Sequence, residues 1–162
     1  MMLYGAELGR EEAIQKYGMK SKWRIVPRDF GIYREKKVFD VERVCVGTNT
    51  MAYDDYLECR RFSFVVIFFS NFIFTPIRRL LEKDLDIKYY DFIKLIFDFV
   101  EKNKKNNLEL KKFSNIYSEY SNETEDELFN SREEIYEFYS KEENYKKLLN
   151  SELGDNLLRK YE

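Results

Sequence analysis

Histidine does not occur anywhere in the 162-residue sequence. Its imidazole is the side chain that most often moves protons near neutral pH, and it is the commonest metal ligand in proteins. Only two cysteines are present, Cys45 and Cys59. Neither a four-cysteine zinc site nor an iron-sulfur cluster can be assembled from this chain alone. The composition therefore argues against metal, radical and nucleophilic catalysis by this chain unaided.

A long apolar run is also missing. The most apolar segment, residues 62–74, would span about 20 Å as a helix, whereas the hydrocarbon core of a bilayer is about 30 Å thick. We therefore expect no membrane span and interpret the segment as a buried core helix; an interfacial helix and a surface covered by another protein are the alternatives. The first residues lack the features of a secretory signal, so we expect a cytoplasmic protein with reduced cysteines.

The sequence contains no strongly basic region of the kind that indicates binding to nucleic acid. The formal net charge is −2, from 28 Lys and Arg against 30 Asp and Glu, and the two signs are mixed along the chain. Binding to a phosphate backbone normally requires a concentrated positive surface, so we expect no nucleic-acid partner. Residues 123–143 hold nine carboxylates. They lack the spacing of a calcium-binding loop and are interpreted as the solvated face of a helix.

Aromatic residues are abundant instead. Hydrophobic residues make up 44% of the chain and include 14 Phe and 13 Tyr, which is enough for one domain with a real core. Acids in the first turn and Gly18 as a stop predict a short N-terminal helix. Residues 23–26 predict a strand that either ends at Pro27 or forms an extended edge there, Gly31 predicts a turn, and residues 37–46 predict a second strand. Together they indicate a short helix and then a small β-hairpin or an extended arm.

After residue 50 the spacing of apolar residues becomes helical. A first helix is predicted from about Ala52 to about Phe74, and its apolar residues surround it from Phe64 onward, so we expect burial on all sides. Apolar stripes further along the chain predict three or four more helices, and the first stripe consists of Tyr90, Ile93, Phe97 and Val100, joined by Ile96. We therefore expect a mainly α fold, with an arm at residues 1–50 and a bundle of four to five helices at residues 51–162. The two parts are expected to form one compact unit.

Several short motifs occur in a fixed order within the first 61 residues. They are GAEL at 5–8, YGMK at 17–20, RIVPRDFGxY at 24–33, and VxTNT at 46–50 leading to DYLECR at 55–60. In this order they resemble the segment that follows the catalytic barrel in B12-binding-domain radical SAM proteins. The resemblance covers a little over a third of the chain, and the helical remainder follows that family only in general character.

The resemblance implies an accessory region of an enzyme that binds a 4Fe–4S cluster and S-adenosylmethionine, often with a cobalamin domain ahead of it. The chain begins where the barrel of such an enzyme would end, and the Cys-x-x-x-Cys-x-x-Cys motif does not occur in it. We therefore expect it to bind none of these cofactors and not to be an enzyme by itself. Two explanations fit the missing barrel and motif. One is a gene broken by a frameshift or internal start, and the other is a separate small subunit that docks on a barrel partner.

Two functional hypotheses follow. The leading one is a non-catalytic C-terminal accessory region of a radical SAM-type enzyme, detached from its barrel. The alternative is a stand-alone helical module for protein–protein interaction. The expected partner is accordingly a radical SAM barrel or another protein chain.

Polar residues in the best-matching stretches are candidates for a substrate contact or an interface. These candidates are Arg24, Arg28, Asp29, Tyr56 and Arg60. The first three surround Pro27, where a guanidinium can hold a carboxylate or phosphate by paired hydrogen bonds, or can fix the loop in an Arg/Asp network. The last two share a helix face, where guanidinium stacking on a tyrosine ring is ordinary packing. No catalytic, cofactor-binding or metal-binding residue is predicted.

Overall fold

The chain folds into two compact units. The computed structural model describes residues 7–153, except for the side chains of residues 27 and 28. One unit, the hairpin unit, comprises Met1–Tyr56 and Glu123–Glu162, and the other, the helical unit, comprises Leu57–Asn122. These segments differ from the predicted arm at 1–50 and bundle at 51–162, because the last helices pack on the hairpin. That these two units pack together into one compact whole stays a prediction.

Within the described residues the fold is mainly α, as predicted. The helices are α1 (Glu11–Tyr17), α2 (Tyr53–Phe69), α3 (Thr75–Arg79), α4 (Tyr89–Asn103), α5 (Leu108–Asp126), α6 (Arg132–Ser140) and α7 (Glu142–Leu149), and the antiparallel strands are β1 (Lys20–Tyr33) and β2 (Lys36–Gly47). Short 3-10 turns at Glu7–Gly9 and Phe72–Phe74 and a π-helical turn at Leu80–Asp84 join them. The predicted order of a short helix, a hairpin and then further helices is confirmed.

The first helix ends where the sequence predicts. Gly18 follows α1 in the left-handed conformation, with φ of 57°, and its amide donates to the carbonyls of the last helical turn. Glycine adopts this conformation at little cost because it has no Cβ atom. The single glycine therefore separates α1 from β1.

The hairpin is longer than the sequence pattern predicts. β1 does not end at Pro27 but continues to Tyr33, and its register with β2 shifts between Ile25 and Phe30. A proline lacks the amide hydrogen that a regular ladder needs, so an irregularity here lets the strand continue past it. The prediction that Pro27 ends the strand is therefore wrong.

The chain reverses direction at Arg34 and Glu35, whereas the sequence predicts the turn at Gly31. Gly31 lies within β1 and pairs with Val38. Both turn residues have positive φ angles, 47° and 65°, as in the two-residue type I′ loops that suit the twist of a hairpin. Neither is Asn or Gly, so the usual sequence signal of such a loop is missing.

The core of the hairpin unit forms between the hairpin and the last two helices. Its buried side chains are Ile25, Phe39, Ile135, Tyr139, Tyr145 and Leu148. Trp23 and Phe129 exchange two backbone hydrogen bonds of 2.8 Å. α6 then begins after Ser131, whose side chain accepts a hydrogen bond from the amide of Glu134. Backbone and side-chain contacts thus both hold the last helices on the hairpin.

Helix α2 ends at Phe69, earlier than predicted. The Ser70 hydroxyl donates to the carbonyl of Val66 at 2.7 Å. The Asn71 side chain accepts from the amide of Ile73 at 3.2 Å. Side chains that bind nearby backbone groups compete with a continued helix, so these two polar residues favour a break within the apolar segment.

The segment around this break has the most apolar sequence in the chain. No single helix within residues 7–153 is both long enough and apolar enough to cross a membrane. The segments Tyr53–Phe69 and Phe72–Asp84 reach that length and composition only as a pair, and the pair is bent by 66°.

The helical unit is built on α4 and α5. Three of the residues predicted to form the apolar stripe of α4 are buried: Ile93, Phe97 and Val100. The Phe97 ring lies 5.5 Å from the ring of Tyr117 on α5, and Tyr117 has no exposed surface. Tyr90, at the start of the stripe, is exposed. The three-to-four spacing therefore predicts the buried face of α4 except in its first turn.

Candidate interaction surface

The helical unit exposes a run of large apolar side chains between the end of α2 and the π-helical turn. We call these six residues the Phe72 surface: Ile67, Phe68, Phe72, Ile73, Ile77 and Leu80. The exposed fraction reaches 84% for Phe72 and 67% for Ile73. Single exposed apolar residues are ordinary, but a concentrated set indicates contact with another molecule.

The predicted burial of this segment on all sides is wrong. Only Phe64 and Val65 are buried within α2. The break at Ser70 and Asn71 turns the chain before the apolar run ends, so its last residues do not continue along the buried side of α2. The sequence signal was the pair of polar residues inside the run, followed by Pro76 at the start of α3.

An ordered aromatic cluster supports the Phe72 surface. The rings of Phe68, Phe69 and Phe74 lie 4.9 to 5.5 Å apart, and Phe113 of α5 contacts two of them at 5.9 and 6.4 Å. The Tyr89 hydroxyl donates to the carbonyl of Phe69 at 2.6 Å. Burial raises the pKa of Tyr89, so this hydroxyl stays protonated and can keep donating. These contacts pack the side chains beneath the Phe72 surface against one another and against α5.

All charged residues within the apolar run and directly beside it are positive. Residues 60–81 include four arginines and no carboxylate. Arg78 forms an ion pair with Glu82 at 3.3 Å, while Arg79 is exposed and has no ion pair with another described residue. The next carboxylate along the chain is that of Glu82. A partner with an apolar contact region and a carboxylate at its rim would therefore match this surface.

Three of the predicted site residues lie on β1 in the hairpin unit. Arg24 donates to the carboxylate of Glu42 on β2 at 2.5 Å, and Glu42 is buried. Asp29 is exposed. The side chain of Arg28 lies outside the described part of the structure. Arg24 thus has a structural partner across the hairpin, and this partner is Glu42 of β2 rather than an aspartate of the predicted Arg/Asp network.

The other two predicted site residues lie on α2. The Tyr56 ring stacks on the ring of Tyr53, with centroids 6.1 Å apart. The guanidinium of Arg60 lies 4.8 Å from the ring centre of Tyr120 and donates to its hydroxyl. The sequence predicts stacking of Arg60 on Tyr56 of the same helix, whereas the ring found under this guanidinium is that of Tyr120 on α5. A substrate or interface role for these residues stays a prediction.

The described residues offer no ligand set for the 4Fe–4S cluster that the resemblance implies. The Cys-x-x-x-Cys-x-x-Cys motif implies three thiolate ligands, whereas the chain has two cysteines, Cys45 in the hairpin unit and Cys59 in the helical unit. Among residues 7–153 no group of three or more His, Cys, Asp or Glu is arranged to hold a metal ion. That the chain binds none of the implied cofactors stays a prediction.

A polar network between α4 and α5 contains the most perturbed carboxylate of the helical unit. The Tyr117 hydroxyl donates to Glu101, and the ammonium of Lys104 pairs with the same carboxylate at 2.9 Å. Burial by itself raises the pKa of Glu101, but these two hydrogen bonds outweigh burial and lower the pKa. Burial and the bond to Glu101 raise the pKa of Tyr117. All three groups satisfy one another, which is typical of a structural network.

Comparison with known proteins adds no relative to this description. The chain matches no family model, no curated protein and no solved structure. The proposals below therefore depend on the geometry of the chain and on the resemblance within its first 61 residues.

Proposed function

We propose that this chain is a non-catalytic accessory unit that binds another protein through the Phe72 surface. The observation that supports this is the exposure of six large apolar side chains on an ordered aromatic base. At about 200 Å² for each large side chain, their exposed fractions amount to on the order of 600 Å². A monomer's largest apolar patch is about 300–600 Å², and each partner in a standard interface buries about 800 Å².

The proposed occupant is a protein face with an apolar groove and a carboxylate near its rim. Arg79 supplies the exposed positive charge for that contact. A membrane is the less favoured occupant because Glu82, Asp84 and Asp86 follow Leu80 and are exposed. Carboxylates beside the insertion site repel an anionic lipid surface. Proteins accept mixed charge at a rim more readily than an anionic bilayer does.

The partner that best accords with the resemblance is a barrel of the radical SAM type. The stand-alone interaction module uses the same surface with a different partner and is the second candidate. A cytoplasmic location belongs to the proposal, because Cys45 and Cys59 are both free thiols and a reducing compartment keeps thiols in that form.

Site-specific photo-crosslinking tests the proposal in cells. A photoreactive phenylalanine analogue replaces Ile73, and the control carries it at Glu137, which is exposed on α6 of the hairpin unit. We expect a single crosslinked protein from position 73 and none from position 137. The same protein crosslinked equally from both positions would overturn the proposal, because the contact would not depend on the Phe72 surface.

Affinity for the identified partner then tests the role of the surface. We expect Phe72→Ser combined with Ile73→Ser to weaken binding at least about 10-fold. Leu95→Ser is the matched control, because Leu95 is 66% exposed on α4 of the same unit, and it should leave affinity within about 2-fold. Equal losses in both variants would contradict the proposal.

Co-expression with a B12-binding-domain radical SAM protein from the same organism separates the two candidate partners. Stable co-purification that the double variant abolishes supports the accessory region. Two further measurements can overturn the proposal as a whole. Vesicles of phosphatidylserine and phosphatidylcholine that sediment the wild type but not the double variant would assign a membrane instead. A concentration-dependent dimer that only the double variant loses would assign a second copy of this chain.

A further inference from the structure

A cavity lies where α4 ends and α5 begins in the helical unit. Its volume is about 350 Å³, within the lower part of the range of small-molecule sites. The residues that line it are Lys104, Lys105, Lys111, Ser114, Asn115 and Ser118. Every one of these side chains can donate a hydrogen bond, and none is a carboxylate. The lining therefore suits a ligand that only accepts hydrogen bonds and carries negative charge.

The local fold brings these donors together. α4 ends at Asn103, and Lys104 and Lys105 belong to the turn that follows. Asn107 caps α5 by accepting from the amides of Glu109 and Leu110 at 3.0 and 3.1 Å. The cap fixes where α5 begins relative to the turn.

Spacing along α5 completes the cavity wall. Lys111, Ser114, Asn115 and Ser118 are separated by three, one and three residues, so all four share one face of the helix. Ser114 is only 3% exposed. Its hydroxyl is already hydrogen-bonded to the hydroxyl of Tyr117, so Ser114 contributes a fixed part of the cavity wall and not a free donor.

The charges of the lining lysines are not all neutralised. Lys104 pairs with Glu101 at 2.9 Å. Neither Lys105 nor Lys111 forms an ion pair with another described residue, whereas the adjacent Lys112 pairs with Glu109 at 2.8 Å. Two ammonium groups are thus left to balance a ligand. A phosphate monoester carries about −1.5 to −2 charge at pH 7 and has three strong acceptor oxygens.

We propose that this cavity binds the phosphate group of a phosphorylated small molecule. Lys105 and Lys111 balance its charge, and the Ser118 hydroxyl and the Asn115 amide donate to its oxygens. A simple carboxylate has half the charge and fewer acceptor positions, so it binds less tightly. The cavity is larger than the phosphate alone requires, and the remaining space accommodates the organic part of the ligand. This proposal is independent of the Phe72 surface.

Nuclear magnetic resonance of the isotope-labelled full chain tests the proposal with inorganic phosphate, glycerol 3-phosphate, acetate and glycerol as probes. We expect saturable shifts at Lys105, Lys111, Ser114 and Ser118 with both phosphate probes, and at least equal affinity for the ester. Acetate is expected to bind at least about 10-fold more weakly, and glycerol not at all. Equal affinity for acetate, or rejection of the ester, would overturn the proposal.

A charge-matched pair of variants provides the second test. Lys105→Gln with Lys111→Gln should weaken phosphate binding at least about 10-fold. The control, Lys83→Gln with Lys88→Gln, removes the same charge from exposed positions of the same unit and should change affinity less than about 2-fold. Equal weakening in both pairs would show attraction to overall charge and refute a site. Should the first pair fail to fold, the absence of wild-type shifts around the cavity would still refute the proposal.

Discussion

Replacement of Phe39 by alanine removes the ring around which the core of the hairpin unit is arranged. Phe39 is 1% exposed, and its ring lies 5.4, 5.9 and 6.1 Å from the rings of Tyr136, Tyr139 and Tyr145. A buried phenylalanine changed to alanine costs about 3–5 kcal/mol. Because each aromatic pair adds about 0.5–1.5 kcal/mol, we expect a loss near the upper limit, about 5 kcal/mol.

Urea unfolding followed by circular dichroism measures this loss. Typical domains have a total stability of about 5–15 kcal/mol, so we expect the Phe39→Ala hairpin unit to be partly or wholly unfolded in water. Phe39→Leu should retain more than half of the lost stability because it fills much of the cavity. Phe72→Ala is the matched control: the same deletion at an 84% exposed ring should change stability by less than about 0.5 kcal/mol. A loss below about 1.5 kcal/mol for Phe39→Ala would refute this description of the core.

Two further predictions concern charge and ionisation. Burial, followed by the charge of Glu127, raises the pKa of Tyr139 above the ordinary 10.0. The stabilising effect of the protonated tyrosine is therefore complete below about pH 10 and is lost as pH rises further. The urea midpoint of the wild type should fall above about pH 10, and the midpoint of Tyr139→Phe should fall less steeply. Arg24→Ala leaves the buried carboxylate of Glu42 without its partner and should cost about 2–3 kcal/mol in thermal or urea unfolding. Arg24→Met combined with Glu42→Leu should cost less than Arg24→Ala alone, and an equal or larger cost would contradict the assigned pairing.

The hairpin shows where sequence patterns succeed and where they fail. The pattern in residues 37–46 correctly predicts β2, because alternate residues from Glu42 to Val46 are buried, although Phe39 is buried on the opposite parity. The turn was misplaced because Gly31 is a common turn residue, whereas Arg34 and Glu35 adopt positive φ without any such signal. The bulge in β1 depends on pairing with a distant strand, which no local pattern contains.

For a related reason, a surface covered by another protein was only an alternative interpretation of this apolar segment. An apolar run has the same composition whether it is enclosed by its own chain or covered by a partner. The break at Ser70 and Asn71 could have been predicted from their tendency to bind backbone groups. The extent to which the neighbouring helices cover the rest of the surface could not have been predicted in this way. The lysines of the cavity were equally visible in the sequence, but their convergence depends on the turn between α4 and α5.

The helical unit is an insertion in the hairpin unit, since the chain leaves the latter at Tyr56 and re-enters it at Glu123. During synthesis the N-terminal strands must therefore wait until α6 and α7 have left the ribosome before their apolar face is covered. Closing a loop of this length costs about 4 kcal/mol of chain entropy, and an inserted segment that has already folded shortens the effective loop. Folding of residues 57–122 should thus precede and accelerate completion of the hairpin core.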